Sequence, residues 1–394
     1  MIDYTKPILD KNGNPIKIAE IGAHHCIRCI KKMRAFKKIG YKVYGAGDKV
    51  AYGTNEYDTY FVWQNKRQLE EVIRLLIGSG VSIISYNNEP DVPAKWIKDV
   101  IVSMGKQDEV KLIVDLHDLD SIRRNIIPIP ERDMFNSADG LIYVSQPIQE
   151  ITNKLHRVTI PNIVLYSYCN GGVIEYKEED IPKRKGIVYE GGANPPNDDL
   201  ANKEFAYRSL YDIIRRLVEM GNETHMFCGN ITAYQTYQDI GAILYPPTVY
   251  DKMMAALTKF KYGILIFNNE DGKKNQTNFT LTNKMQEHYA AGLPSLACWC
   301  AESEKWVKKH GVGFTFQHID EIGNCNQLEN QYLEVMGNIR NKQLKKELFM
   351  EQYIWKLENM YAKLLGLGGK GIPEDIKQMN IFEYGEEKIN KLLN

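Results

Sequence analysis

The order of apolar and polar segments predicts an α/β protein made of two successive doubly wound domains. Short apolar runs that end at glycine alternate with longer segments of helical periodicity, and this series occurs twice along 394 residues. A polar stretch at residues 175–185, interrupted by Pro182, separates the two series. Because a chain of this length can bury two separate cores, we predict domains at residues 1–175 and 176–365 and a tail helix at 366–394.

The first series opens with a βαβ unit. A buried strand is predicted at residues 16–21, a helix at 26–39 and a second strand at 41–44. Consecutive strands joined by a helix are parallel, so this unit predicts a parallel sheet. The same alternation continues through a helix at 66–77, a strand at 82–86, a helix at 94–104, strands at 110–116 and 140–144, and a helix at 147–155 capped by Ser145.

The second series repeats this order after the polar stretch. A late helix at residues 352–361 has apolar residues at helical spacing. Ligands of such sheets bind at the carboxyl ends of the strands, so the reaction is expected there. The predicted elements are a strand at 186–190, a glycine turn at 191–192, a helix at 203–220, strands at 224–228 and 243–245, a helix ending at 259 and a strand at 262–267.

The segment at residues 280–297 is the most informative for function because it predicts a short helix with a defined start and end. Asn283 is a favourable N-cap, and Gln286 three positions later completes a loose capping box. Gly292 suits the left-handed position after the helix, and Pro294 prevents its continuation. The helix therefore leads directly into the buried strand that follows it.

The start of this predicted helix has the composition of an anion-binding site. The amides of residues 284–286 have no partner within the helix, and Lys284 adds a full positive charge. Glu287 follows in the first turn, where its carboxylate can accept hydrogen bonds from the vicinal hydroxyls of a sugar. Phosphate donors beside a hydroxyl acceptor predict a nucleotide. The alternative is an ordinary helix that ends at Gly-x-Pro.

These residues resemble the nucleotide-sugar site of GT-B glycosyltransferases of the retaining group 1, or family 4-like, type. In that family a Lys or Arg is followed by Glu, small residues and Gly-Leu-Pro, as at residues 284–294 here. The resemblance covers residues 16–365 and implies two Rossmann-like domains that face a central cleft, with a C-terminal helical region. It implies a nucleotide diphosphate sugar donor bound by Asn283, Lys284 and Glu287, with the glutamate on the ribose.

The resemblance also implies the reaction. It implies transfer of the sugar to an acceptor hydroxyl, with retention of anomeric configuration and no required metal or other cofactor. The expected acceptor is a glycan or a lipid-linked glycan.

Residues 112–118 place a histidine at the end of a buried strand. A histidine that only terminates the strand is the structural alternative. The resemblance implies that His117 lies near the transferred sugar and orients the sugar or the acceptor. Asp118 is expected to fix the tautomer of His117 or to contact the acceptor. His117 and Asp118 are therefore the predicted catalytic residues.

Glycine-containing loops at strand ends are predicted to approach the donor. Gly22 and Ala23 follow the first strand, and in the family this loop faces the donor diphosphate and the acceptor. Gly191 and Gly192 form the first loop of the second domain, and Gly229 follows a later strand. Small residues at these places permit close approach of the backbone to a ligand.

Two positions depart from the family pattern. Ala193 stands where many relatives carry an arginine for the diphosphate, and the next basic residue, Lys203, is distant in sequence. Phe279 stands where many relatives have a further glutamate. These departures keep open a non-catalytic GT-B nucleotide-sugar-binding protein and a sugar-nucleotide epimerase of the same fold. A NAD-dependent oxidoreductase is disfavoured because neither half carries the full GxGxxG fingerprint.

The composition, with 43% hydrophobic and 25% charged residues and zero net charge, is that of a soluble globular protein. Zero net charge disfavours a nucleic-acid binder that relies on overall charge. No apolar run reaches the ~20 residues of a spanning helix, and the first residues lack the apolar core of a signal peptide. We therefore expect a cytoplasmic protein.

The densest basic segment runs from Arg28 to Lys38. Such a run is most simply the solvated face of a helix. The functional alternatives are peripheral contact with an anionic membrane surface, or contact with DNA whose modified base is the acceptor of a viral-type glycosyltransferase. The sequence does not choose between these alternatives.

The seven cysteines are an odd number scattered along the chain, which disfavours a disulfide framework. Cys26 and Cys29 form a CxxC motif preceded by His24 and His25. No second Cys or His pair with zinc spacing follows, so free thiols are favoured over a metal site. We therefore predict no metal.

Overall fold

A computed structural model of the chain describes residues 5–24, 26–172, 176–196, 207–269 and 276–373. The chain forms two compact units. The first unit comprises Met1–Tyr166 and Phe349–Asn394, and the second comprises Ser167–Leu348. Each unit contains a parallel sheet with helices in its connections, which confirms the predicted α/β class with two Rossmann-like windings.

Seven parallel strands form the sheet of the first unit: β1 Lys17–Gly22, β2 Lys42–Gly47, β3 Thr59–Val62, β4 Val81–Asn87, β5 Lys111–Leu116, β6 Gly140–Tyr143 and β7 Asn162–Val164. Their spatial order is β3–β2–β1–β4–β5–β6–β7. The order reverses between β1 and β4, and ligands of such sheets bind outside the carboxyl ends of the strands at this point. The connecting helices are α1 Ile27–Lys38, α2 Lys66–Gly78, α3 Val92–Ser103, α4 Asp120–Arg123, α5 Ile129–Ser137 and α6 Gln146–His156.

Six parallel strands form the sheet of the second unit: β8 Lys185–Gly191, β9 Thr224–Cys228, β10 Ile243–Tyr245, β11 Phe260–Ile266, β12 Ser295–Cys298 and β13 Gly313–Phe316. Their spatial order is β10–β9–β8–β11–β12–β13, which reverses between β8 and β11. The helices are α7 Tyr211–Glu219, α8 Tyr234–Asp239, α9 Tyr250–Leu257, α10 Gln276–Phe279, α11 Asn283–Ala290, α12 Ala301–His310 and α13 Glu329–Leu344.

The predicted strands and most predicted helices are present, with ends that differ by a few residues. The sequence patterns do not predict β3, β7, α4, α8, α10, α12 or α13. The two missed strands have only four and three residues. Helix α13 buries only Tyr332, Met336 and Ile339 among polar neighbours, so its apolar face is narrow. The helix predicted at 203–220 begins at Tyr211, and residues 203–206 lie outside the described part of the chain.

The late helix, α14 Ile354–Leu365, packs within the first unit. The ring of Tyr361 stacks on Phe36 of α1 with centroids 5.9 Å apart. Tyr41 donates a 2.6 Å hydrogen bond to the carboxylate of Glu358. Helix α14 therefore shares the core of the first sheet, although it is distant from that sheet in sequence.

The two units consequently differ from the predicted domains. Contacts divide the chain between Tyr166 and Ser167 and again between Leu348 and Phe349, whereas the sequence predicted boundaries at 175 and 365. The physical reason is that apolar spacing shows that a helix packs, but not against which sheet. Residues 366–373 form no helix, and the rest of the predicted tail helix lies outside the described residues.

Helix α1 is not a solvated basic face. Arg28, Lys31 and Lys32 expose only 1%, 1% and 0% of their surface, and only Lys37 and Lys38 among its six cations are exposed. The simplest sequence interpretation of this segment is therefore wrong, because half of its cations point into the core of the first unit. Within the described residues, no helix is both long enough and apolar enough to cross a bilayer.

Candidate functional site

The loop that follows β8 holds the side chain of Lys284 against its backbone. Gly191 has a φ of +131°, and a Cβ atom placed on it would lie 2.9 Å from both Cε and Nζ of Lys284. A side chain at residue 191 would therefore displace the lysine, and the conformation itself favours glycine. The close approach brings the predicted glycine loop and Lys284 together at the carboxyl end of β8.

Helix α11 begins one residue earlier than the sequence predicts. Thr282 is the N-cap, with extended φ and ψ of −77° and 153°, and no side chain caps the helix. Asn283 is exposed at the first helical position, and Gln286 is fully buried, so the predicted cap and capping box are wrong. The amides without intrahelical partners are therefore those of Asn283, Lys284 and Met285.

The C-terminal end of α11 agrees with the prediction. Gly292 has a φ of +64°, and its amide donates to the carbonyl of Tyr289 at 3.0 Å. The amide of Leu293 donates to the carbonyl of His288 at 2.8 Å. These two bonds form a Schellman motif, which satisfies the last carbonyls and directs the chain into β12.

The ammonium of Lys284 lies in an environment that favours binding of an anion. Its Nζ is 5.2 Å from the ring centroid of Tyr189 and 5.5 Å from that of Phe267. Burial lowers the pKa of Lys284, while the negative charges of Glu190 and Glu287 oppose that effect. Among the described residues no carboxylate lies within ion-pair distance of this ammonium. An anionic ligand would supply that missing partner.

A second cation lies beside the same glycine loop. A Cβ atom placed on Gly192 would lie 3.5 Å from a terminal guanidinium nitrogen of Arg208, whose guanidinium is 5.5 Å from the ring centroid of Tyr207. Ala193, where the family carries an arginine, is fully buried. Sequence reasoning missed Arg208 because it lies far along the chain from Gly192, whereas the family pattern places the arginine directly after the glycine loop.

Glu287 lies one turn into α11 and is 5% exposed. Its carboxylate accepts a hydrogen bond from the hydroxyl of Tyr250. Burial raises the pKa of that hydroxyl, and the negative charges of Cys169 and Glu287 raise it further. The Sγ of Cys169 is 3.5 Å from the same hydroxyl oxygen. Tyr250 therefore fixes one side of the carboxylate, and a carboxylate has a second oxygen that can accept further hydrogen bonds.

Three buried polar side chains of the second unit, Glu190, His288 and Ser295, form a hydrogen-bonded network. His288 Nε2 lies 3.1 Å from Glu190 Oε2, and His288 Nδ1 lies 2.9 Å from Ser295 Oγ. A Cβ atom on Gly263 would lie 2.5 Å from the imidazole, so glycine at that position makes room for the ring. The other carboxylate oxygen of Glu190 is buried and has no hydrogen-bond partner among the described residues. The sequence analysis did not identify these residues, although Glu190 directly precedes the predicted glycine turn.

Gly229 follows β9, the neighbour of β8 in the sheet. Nothing lies within 4 Å of a Cβ atom placed on it. The structure therefore puts Gly229 at the same edge of the sheet as Gly191, but no close contact within the described chain requires glycine there.

In the first unit, His117 follows β5, and its ring nitrogens face two other side chains. Nε2 lies 3.8 Å from Asp115 Oδ1, and Nδ1 lies 3.9 Å from the Sγ of Cys26. Burial disfavours the imidazolium and by itself would lower the pKa of His117. The negative charges of Cys26 and Asp115 outweigh burial and raise this pKa to about 9. Asp115, two residues before the histidine on the same strand face, is the carboxylate on the Nε2 side, and the role of Asp118 in fixing the tautomer stays a prediction.

Asn88 positions the backbone of the predicted catalytic pair. Its side-chain oxygen accepts a 2.7 Å hydrogen bond from the amide of His117, and its side-chain nitrogen donates to the carbonyl of Asp118 at 2.5 Å. Asn88 follows the last residue of β4, so the switch point of the first sheet holds the loop after β5. These two hydrogen bonds fix the backbone of the loop that carries His117 and Asp118.

A buried ion cluster lies beneath His117. Arg28 Nε donates to the two oxygens of Asp115 at 3.1 and 2.9 Å. Lys32 Nζ lies 2.6 Å from Asp115 Oδ2 and 2.9 Å from Glu20 Oε2. Burial opposes ionisation of Asp115, but Arg28 and Lys32 hold its pKa well below the usual range. Two cations of α1 thus neutralise carboxylates of β1 and β5.

Gly22 and Ala23 lie between β1 and α1, beside this cluster. A Cβ atom on Gly22 would lie 3.3 Å from the carbonyl oxygen of His24 and 3.8 Å from the Cβ of Asn87, so the loop is tight there. Ala23 is buried, and His24 is exposed and lies 3.3 Å from Asp48. His25 lies outside the described residues.

A cavity of about 210 Å³ adjoins Asp118 in the first unit. Its charged lining is predominantly acidic, with Arg123 as the basic member and Pro90, Pro128 and Pro130 as apolar walls; the acidic residues are Glu89, Asp91, Asp118 and Asp120. Burial raises the pKa of Asp91 to about 6. Several carboxylates in a small cavity can accept hydrogen bonds from a polyhydroxylated ligand. Among the described residues, no group of three or more His, Cys, Asp or Glu side chains is arranged to hold a metal ion.

Comparison with solved structures defines the fold. The chain is similar to WaaG, a glycosyltransferase involved in lipopolysaccharide biosynthesis, at a TM-score of 0.56 and 10% identity, covering 89% of this chain and 100% of that one. It is similar to AviGT4, a glycosyltransferase involved in Avilamycin A biosynthesis, at a TM-score of 0.55 and 10% identity, covering 89% and 98%. The chain has the GT-B fold. No protein-family model and no curated protein matches the sequence.

The GT-B fold also occurs in a neighbour with a different assigned activity. A Listeria monocytogenes protein assigned as a UDP-N-acetylglucosamine 2-epimerase matches at a TM-score of 0.53 and 10% identity, covering 90% of this chain and 99% of that one. At such identities the fold alone is shared. The function must therefore be argued from the residues at the strand ends.

Proposed function

We propose that this protein is a glycosyltransferase that moves a sugar from a nucleotide diphosphate sugar to an acceptor hydroxyl. The observation that carries the proposal is Lys284, which packs on Gly191 at the uncapped N-terminus of α11, with Glu287 one turn further. A helix N-terminus, a cation and a closely approaching glycine backbone are the features of a phosphate site. Beside this phosphate site, the carboxylate of Glu287 can accept hydrogen bonds from the hydroxyls of a sugar.

The diphosphate is the leaving group of this reaction, and its developing charge must be stabilised. Lys284, Arg208 and the first-turn amides of α11 supply that charge in this proposal, as fixed groups that require little reorganisation. We propose that they do so without a metal. Because burial lowers the pKa of Lys284, the charge of a bound diphosphate should raise that pKa again.

Glu287 is proposed to bind the ribose through its carboxylate, which Tyr250 orients. The hydrogen bond from Tyr250 restricts the rotation of the carboxylate, so less side-chain entropy is lost when the nucleotide binds. Gly191 and Gly192 allow the diphosphate to approach the backbone. Gly229, at the same sheet edge, and Asn283, at the first helical position, complete the proposed donor site.

His117 is proposed to act as a hydrogen-bond donor rather than as a general base. With a pKa of about 9, its imidazole is protonated at neutral pH and both ring nitrogens carry hydrogens. A protonated ring cannot remove a proton from the acceptor. A retaining reaction, in which the departing diphosphate can receive the proton of the acceptor, is consistent with that state, so we propose retention of configuration.

The acceptor is proposed to be a hydroxyl of a glycan. The cavity beside Asp118 offers four carboxylates, which suit hydroxyl donors and repel the phosphates of DNA. The burial of Arg28, Lys31 and Lys32 reduces the basic surface of the helix that a DNA acceptor would contact, which supports a glycan. Gly22, Ala23 and Asp118 are the proposed contacts on this side of the reaction.

The test is release of nucleotide from a panel of UDP-, GDP-, ADP- and CDP-sugars, with and without a glycan-containing cell extract. Release that requires the extract is the expected result. Tight binding without release would replace the proposal by a nucleotide-sugar-binding protein. Conversion of the donor sugar without an acceptor would replace it by an epimerase.

A matched pair of variants locates the site. Glu287→Ala should weaken nucleotide binding, measured by titration calorimetry, by about 1–3 kcal/mol through loss of a charged hydrogen bond. Glu334→Ala, at an exposed glutamate of α13, is the control and should leave the affinity unchanged. Equal affinities for Glu287→Ala and the wild type would remove Glu287 from the site.

A further inference from the structure

The first helix of the chain carries two cysteines that the proposed transfer reaction does not use. Cys26 is the N-cap of α1 and Cys29 lies one turn further, with their sulfurs 3.6 Å apart. Residues three positions apart share one face of a helix. A small movement therefore brings the sulfurs to the S–S bond length of about 2.05 Å. The CxxC spacing is also that of thiol–disulfide exchange sites.

The two sulfurs differ in accessibility. All seven cysteines lie in the described part of the chain, and Cys26 is half-buried whereas the other six are buried. Cys29 is fully buried beneath it. This is the arrangement of an attacking thiol that meets a reagent from solution and a resolving thiol that meets only its partner.

The surroundings of Cys26 favour its thiolate. The helix N-terminus has no acidic residue in its first turn, and His117 Nδ1 lies 3.9 Å from the sulfur. The hydrogen bond from Cys29 and the charge of His117 hold the pKa of Cys26 well below the usual range. Burial and the adjacent Cys26 raise the pKa of Cys29, which keeps its proton until it reacts.

We propose that Cys26 and Cys29 form a redox-active dithiol that exchanges with low-molecular-weight disulfides of the glutathione type. The Cys26 thiolate attacks one sulfur of the disulfide, so a Cys26–S bond forms, the original S–S bond breaks and one thiolate leaves. Cys29 then attacks the Cys26 sulfur, and the second thiolate leaves with the proton of Cys29. The protein loses two electrons and the external disulfide gains them.

Oxidation also changes the charge that faces His117. The groups around its ring are Cys26 and Asp115, and Arg28 and Lys32 lie beyond Asp115. Forming the disulfide removes the Cys26 thiolate, so the pKa of His117 should fall from about 9 while Asp115 stays in place. Any effect on glycosyl transfer rests on the proposed function, whereas the thiol chemistry does not.

The sequence offers a direct readout, because Arg28 lies between the two cysteines. Trypsin places Cys26 in a peptide of residues 18–28 and Cys29 in a peptide of residues 29–31. The reduced full-length protein is incubated with oxidised glutathione, alkylated and digested without reductant. The expected result is a linked pair of these peptides that separates on reduction, while Cys298 and Cys300, which are both buried, remain unlinked.

Three variants test the individual steps. Cys29→Ser should accumulate a glutathione mixed disulfide on Cys26, because the resolving thiol is absent, and Cys26→Ser should form neither product. In the wild type the rate of Cys26 alkylation by iodoacetamide should change less than about threefold between pH 6 and 8. In His117→Gln this rate should fall more steeply toward pH 6 than in the wild type, because the charge of His117 is lost while the hydrogen bond from Cys29 remains.

The proposal is overturned if oxidised glutathione gives no linked peptide although the unfolded chain reacts. It is also overturned if Cys29→Ser forms the mixed disulfide but the wild type forms no link, since Cys26 would then be a single reactive thiol. Loss of glycosyl transfer with intact exchange, or the reverse, separates failure of the proposed function from failure of this proposal.

Discussion

The N-termini of α1 and α11 show two different uses of positive charge. Neither helix has a side-chain N-cap. Helix α1 follows the loop of Gly22, and Lys284 at the start of α11 lies against the loop of Gly191. In α1, Lys32 lies within 2.9 Å of two carboxylates in the interior of the first unit. In α11, the ammonium of Lys284 lies against Gly191 and has no carboxylate within ion-pair distance among the described residues.

The difference shows that the density of basic residues does not indicate where an anion binds. Helix α1 carries the densest run of cations, yet three of them are buried, and Arg28 and Lys32 are neutralised by carboxylates within the core. Helix α11 carries one lysine at its start, and no carboxylate of the described residues forms an ion pair with it. A cation contributes to binding when the fold leaves its charge uncompensated.

The largest expected effect comes from breaking the internal charges of the first unit. Asp115→Asn removes the shared partner of Arg28 and Lys32 and should lower the free energy of unfolding by about 3–5 kcal/mol, because two buried cations lose compensation. Urea denaturation measures this change. The control is Asp99→Asn, which breaks an exposed pair with Lys95 and should cost about 0.5 kcal/mol or less. Equal costs would contradict the structural role assigned to the cluster.

Lys284→Met should have the opposite effect: it should weaken ligand binding without lowering the free energy of unfolding. The folded protein lowers the pKa of Lys284, so the unfolded chain holds this proton more tightly and the charge disfavours folding. The variant should therefore keep or increase the free energy of unfolding, and should lose the gain in stability that deprotonation of Lys284 gives as pH rises. Affinity for a nucleoside diphosphate should fall roughly ten- to hundredfold. A destabilised variant with unchanged affinity would make Lys284 structural like Lys32.

Arg208→Gln should have a smaller effect that depends on the ligand. Its guanidinium lies beside Gly192, so affinity for a nucleoside diphosphate should fall about three- to tenfold, while affinity for the nucleoside alone should not change. Titration calorimetry with both ligands measures the difference. Arg215→Gln, in an exposed pair with Asp212 on α7, is the control. Equal losses for both ligands would place Arg208 away from the diphosphate.

The smallest effect is expected for the exposed end of α1. Replacing Lys37 and Lys38 by glutamine should change retention on anionic vesicles and on duplex DNA by less than about twofold, because only these two cations of the helix are exposed. Co-sedimentation at low salt measures the vesicles, and fluorescence anisotropy measures the DNA. Strong wild-type binding that this double variant abolishes would restore the surface interpretation of the helix.

The sequence predicted the winding of both sheets, because apolar runs and helical spacing are local properties that burial imposes on every element. It also predicted the end of α11 at Gly292. It misplaced the cap at Asn283, because Thr282 and Asn283 are both capping residues and only the backbone conformation distinguishes them. It assigned α14 to the second domain, because the apolar spacing of a helix does not show against which sheet the helix packs.

What the sequence determined by itself is the α/β fold, most of its strands in their order along the chain and the position of His117 at a strand end. These follow from periodicity and from residue types that act within a few positions of each other. Only the tertiary structure decided that Asp115 and Cys26 face His117, that Arg208 lies beside Gly192 and that α1 points its cations inward. Each of these depends on contacts between residues that the folded sheets bring together, and charge compensation across such contacts leaves no local pattern in the sequence.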